Sequence, residues 1–154
     1  SITILTSCLK KENYPLVPVL KYEDFIKIPE LDGIDKRGVL KLSFTDGDGN
    51  IGLDDNDKKK PYDYNLFISF YEIQKGVPTP VKLDGDSGVS FNARIPVITP
   101  KGKNKSISGT IEDTVYINNF LSPYDTIFFE VYIVDRDLNK SNVVTTPYII
   151  VKKK

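Results

Sequence analysis

Short runs in which apolar and polar residues alternate constrain this chain most, because a period of two suits a pleated strand and not a helix. Val39 to Thr45 sets Leu40, Leu42 and Phe44 on one face. Tyr64 to Ile73 sets Leu66, Ile68 and Phe70 on one face and Phe67, Tyr71 and Ile73 on the other. Thr126 to Val134 points Ile127, Phe129, Val131 and Ile133 inward, with Phe128, Glu130 and Tyr132 opposite. Phe91 to Ile98 alternates Phe91, Ala93, Ile95 and Val97. Weaker patterns at Ser106 to Ile117, where Gly109 marks a bulge, at Val143 to Val151, and at an edge within Val19 to Ile28 complete the set. Gly, Pro, Asn and Asp separate the runs. About seven short strands with turn signals between them predict an all-β chain folded as an antiparallel sandwich.

The sandwich is expected over residues 19–154, a length that suits one domain with a substantial core. Lysine plus arginine and aspartate plus glutamate number 21 each, so no basic field is present to neutralise a phosphate backbone, and nucleic acid is not an expected partner. Histidine is absent, which removes the commonest general base and transition-metal ligand. With one cysteine there is no intrachain disulfide, and the core must hold by packing.

That cysteine, Cys8, stands directly after the apolar stub Ile2-Thr3-Ile4-Leu5-Thr6-Ser7. Leucine, two small residues and then cysteine is the pattern at which bacterial lipoprotein signals are cut and the new N-terminal cysteine is acylated. The stub is too short to span a bilayer, which needs about 20 apolar residues. Residues 1–7 thus read as a signal-peptide remnant and residues 8–18 as a lipidated cysteine and tether. The expected location is the bacterial cell envelope, on an outer-membrane, periplasmic or surface face, with the membrane as partner through several acyl chains. The alternative is an ordinary free thiol.

Phe128-Phe129-Glu130-Val131-Tyr132-Ile133-Val134-Asp135-Arg136-Asp137-Leu138-Asn139-Lys140-Ser141, followed by Val143 and Val144, resembles the final hairpin of immunoglobulin-like and fibronectin type III-like domains. Leu42 to Leu53 resembles a segment of uncharacterised lipoproteins of Bacteroidetes-type bacteria. The two segments lie toward either end of residues 38 to 151. They imply an immunoglobulin-like sandwich and no particular activity. The chain has no tryptophan and no pair of core cysteines, a departure from the antibody-type pattern.

Asp46-Gly47-Asp48-Gly49-Asn50 places oxygen-bearing side chains at alternate positions, which lets a loop fold around a hard cation such as calcium. It is not an EF-hand, because Ile51 occupies the glycine position and Asp57 the glutamate position. In immunoglobulin order, residues 38–45, 64–73, 126–134 and 143–151 are strands B, C, F and G, so the B–C and F–G loops share one end. That end would gather Asp46, Asp48 and Asn50 with Asp135, Asp137 and Asn139 into a calcium site. Turn chemistry is the alternative, since hairpins favour the same residues. Asp84 and Asp86 should lie at the other end, as a turn.

The expected function is a non-catalytic binding or assembly module that engages an envelope protein or a glycan. A glycan-binding module of a surface polysaccharide system would use loop aromatics, for which Tyr62 and Tyr124, each in a Pro-Tyr-Asp turn, are the candidates. A carboxylate-dependent hydrolase is the remaining reading, and no nucleophile elbow or phosphate loop supports it.

Overall fold

A computed structural model describes residues 2–6, 13–82, 91–99 and 105–154. Cys8, Asp84 and Asp86 lie outside the described residues. Two antiparallel sheets face each other. One has the order β1 (Ile2–Thr6), β6 (Ile107–Tyr116), β3 (Arg37–Asp46), β2 (Val19–Lys27). The other runs β5 (Val77–Pro80), β4 (Leu66–Gln74), β7 (Thr126–Ile133), β8 (Val144–Thr145), with β9 (Ile149–Ile150) also on β7. Strands β2-β3-β6 follow the A-B-E order of an immunoglobulin-like domain, and β5-β4-β7-β8 follow C′-C-F-G. There is no helix among the described residues.

The alternation in the sequence predicts which side chains fill the space between the sheets. Leu40, Leu42 and Phe44 from β3, Leu66, Ile68 and Phe70 from β4, and Ile127, Phe129, Val131 and Ile133 from β7 are all buried there. Phe129 is fully buried, with its ring centroid 5.3 Å from Phe70, 6.0 Å from Phe91 and 6.1 Å from Phe25.

Four expectations need correction. Phe91–Ile98 is not a strand; it makes only isolated bridges, Ala93 to Leu66 and Pro96 to Leu53. Pro96 has no N–H to donate to a ladder. The Asn65 side chain substitutes for a strand neighbour, accepting from Ile95 N at 2.6 Å and donating to Ile95 O at 3.0 Å. The last strand is broken into β8 and β9 around Pro147, with Thr146 bonded through N and Oγ1 to Phe129. Gly109 is not a bulge, since β6 keeps continuous register with β3; the irregularity lies in β2, between Tyr22 and Asp24. Finally β5, absent from the predicted set, arises because Lys75 and Gly76 adopt positive φ (51° and 80°) and reverse the chain after β4.

Ile2–Thr6 forms β1 and pairs antiparallel with β6 from Gly109 to Asp113. It occupies the side of β6 where immunoglobulin domains carry strand D. Asp113 points inward from this edge, 6% exposed, and burial pushes its carboxyl up to about 6. A raised carboxylate binds more protons folded than unfolded, so it lowers stability as pH rises from about 4 to about 6, with no further change above. Asp113→Asn should therefore raise the unfolding midpoint at pH 7 but not at pH 3.5. The expected gain is about 2 kcal/mol at pH 7, read by thermal unfolding of both proteins across that range.

Candidate metal centre

Asp46 ends β3 on the inward side of the sheet, so its carboxylate enters the core at the rim rather than facing water. It is 0% exposed. Its Oδ2 accepts the Ile51 N–H at 2.7 Å, which curls residues 47–50 over it. Gly49 at φ 66° makes that turn, and Gly52 at φ 131° lets the backbone pass against Pro96 and Val97, where a Cβ would collide. Ile51, Leu53 and Ile95 then close this end of the core.

From the opposite sheet, Asp135 follows β7 and is 2% exposed. Asn139 fixes it through N to Oδ1 and Nδ2 to Oδ2, both at 2.8 Å, in a turn where Leu138 takes φ 65°. The two loops meet. Oxygens of Asp46, Asp48 and Asp135 lie within 4.8 Å of one another. Asn50 Nδ2 donates to Asp48 at 3.2 Å and to Asp137 at 2.9 Å.

Asp46 Oδ1 and Asn50 Oδ1 are buried without a hydrogen-bond partner. Burial, together with repulsion from Asp48 and Asp135, pushes the Asp46 carboxyl up to about 6 against the Ile51 N–H. Three carboxylates crowd together here, and the most buried of them keeps one oxygen, Asp46 Oδ1, that no donor reaches. Such a cluster fits a hard cation: calcium takes 6–8 oxygens, and the three carboxylates supply one each at this spacing, leaving further carboxylate oxygens, carbonyls and water for the rest. A bound divalent ion would also reverse the local electrostatics that disfavour ionised Asp46.

The structure thus brings together Asp46, Asp48 and Asp135, places Asn50 beside them, and leaves Asp137 on the exposed rim, joined through Asn50. Asn139 donates its backbone N–H and its Nδ2 to Asp135 and so holds that carboxylate in place. Segment 14–15 was not singled out by the sequence, yet Gly47 N donates to Pro15 O at 2.8 Å. Gly47 permits this approach, since a side chain there would strike the carbonyls of Tyr14 and Pro15. No motif in residues 13–18 announces the contact.

The two aromatic candidates do not share a surface. Tyr62 lies at the acidic end, its hydroxyl donating to Arg136 O at 3.2 Å and its ring covered by the Arg136 guanidinium at 5.6 Å. Tyr124 lies at the opposite end, in the loop before β7. A row of rings does occur on the outer face of the β4–β7 sheet. There Phe67 stacks on Tyr132 at 4.9 Å and Tyr71 on Phe128 at 4.8 Å, with Lys140 Nζ 3.9 Å from the Tyr132 centroid. These rings face one another. Neither protein-family models nor curated proteins match the chain, so its chemistry is read from this geometry alone.

Proposed function

We propose that this protein is a non-catalytic binding or assembly module of the bacterial cell envelope, held to a membrane by acyl chains on Cys8 and braced at one end by calcium. The observation that carries the calcium reading is Asp46, fully buried with an unpartnered Oδ1 beside Asp48 and Asp135. The lipid reading rests on the Leu5-Thr6-Ser7-Cys8 sequence. The contact of Pro15 with Gly47 joins the two, because the tether enters the domain at the acidic end. Residues 8 to 14 reach at most about 25 Å when extended, so calcium would stiffen the membrane-proximal end. The far end is left for a partner. A protein partner is favoured over a glycan, because the outer-face rings stack on one another and Arg136 covers Tyr62.

Expression with a complete signal and mass measurement of the membrane-extracted protein tests the anchor. The expected product starts at Cys8 with added acyl mass, and Cys8→Ala should leave the membrane fraction. A soluble product retaining an unmodified Cys8 would refute the anchor.

A further inference from the structure

The proposed processing at Cys8 removes β1, and that vacates one side of β6. Residues Gly109 to Asp113 then present unpaired backbone groups along a sheet edge at the place where strand D would lie. The vacated edge has a defined shape. Ile2 and Ile4 pack against the core from β1, Ile4 opposite Ile111 and Ile2 opposite Asp113. Removing them opens two notches between the sheets, an apolar one at Ile111 and one at Asp113, spaced as alternate residues of one strand.

We infer that, in the processed protein, the β6 edge is an acceptor for an extended segment of a partner protein. That segment pairs antiparallel with Gly109–Asp113, placing an apolar side chain opposite Ile111 and a lysine or arginine opposite Asp113. The inference rests on the proposed cleavage at Cys8. The chain's own Ile2–Thr6 shows that a strand of this kind seats on the edge with five residue pairs in register. Main-chain bonding would supply affinity and the two notches selectivity. Asp113 supplies the second half of the argument. It is an inward-pointing charge at an edge, which disfavours indiscriminate pairing with apolar strands. Ile2, its register partner, brings that carboxylate no charged side chain. A basic side chain at the same register position would provide a counter-charge in a desolvated setting, where charge pairs discriminate strongly between partners.

The test uses the full chain with Cys8→Ser and Glu112→Cys, in two forms: β1 intact, and β1 displaced by Ile2→Asp with Ile4→Asp. A labelled peptide of residues 1–7 carrying cysteine in place of Thr3, the register partner of Glu112, is added in trans in a glutathione redox buffer, whose oxidised form takes up the two electrons. The expected result is a disulfide with the displaced form and at least about tenfold weaker capture by the intact form, whose tethered strand competes at roughly millimolar effective concentration. A second peptide with lysine in place of Ile2 should bind at least about tenfold more tightly than the first. Should the double aspartate variant not fold by circular dichroism, Thr3→Pro displaces β1 instead. A folded, displaced chain that captures neither peptide overturns the inference. So does a displaced chain that self-associates through β6 and excludes both peptides. The mass of the extracted protein reports the cleavage separately, so loss of one reading is not confused with loss of the other.

Discussion

Phe129→Ala is expected to lower stability by about 4 kcal/mol, the largest effect of any single substitution considered. The ring sits at the centre of β7 with no exposure and meets Phe25 from β2, Phe70 from β4 and Phe91 from the segment bridged to β4. Truncation removes buried apolar area and leaves a cavity bounded by two sheets that are fixed by their ladders and cannot collapse together. For a domain of this length the midpoint should fall by roughly 10 °C. Thermal unfolding reads this directly. Phe67→Ala, whose ring stacks on Tyr132 on the outer face and is only half-buried, should cost distinctly less.

Calcium should move stability by a comparable amount in the opposite direction. At about 100 times the dissociation constant a ligand that binds only the folded state adds about 2.7 kcal/mol, and at about 1,000 times it adds about 4.1. The shift in midpoint is then roughly 5–15 °C. Asp46→Asn combined with Asp48→Asn should reverse the pattern. In chelator the variant gains stability, because two of three crowded carboxylates lose their charge while the Ile51 N–H keeps an oxygen acceptor. In calcium it falls below the parent. This crossing separates an ion site from a loop whose aspartates serve only the turn, where both conditions would give the same difference. Thermal unfolding of parent and variant in calcium and in chelator supplies the four curves required.

The strands that were legible in the sequence are those with a clean period of two and one buried face: β3, β4 and β7. Phe91–Ile98 carries the same period but is built from two bridges and side-chain bonds to Asn65, because alternation reports burial and not ladder pairing. The Pro147 break and the Lys75-Gly76 reversal were local signals outweighed by the longer apolar runs around them. The meeting of the two acidic loops followed from strand order alone. What strand order could not supply was depth: Asp46 and Asp135 lie inside while Asp137 lies at the rim, a distinction set by which face each strand presents at its last residue. The Pro15 contact with Gly47 was illegible, since it requires knowing where the tether enters the fold.

Calorimetric titration of the full chain with calcium is the most direct test of the two-loop site. The prediction is a single binding event that weakens at least about tenfold in Asp135→Asn as well as in Asp46→Asn, because strands from both sheets hold one ion, with a smaller change in Asp137→Asn. A chain that takes up no calcium, or binds it equally well after Asp135→Asn, would contradict the site.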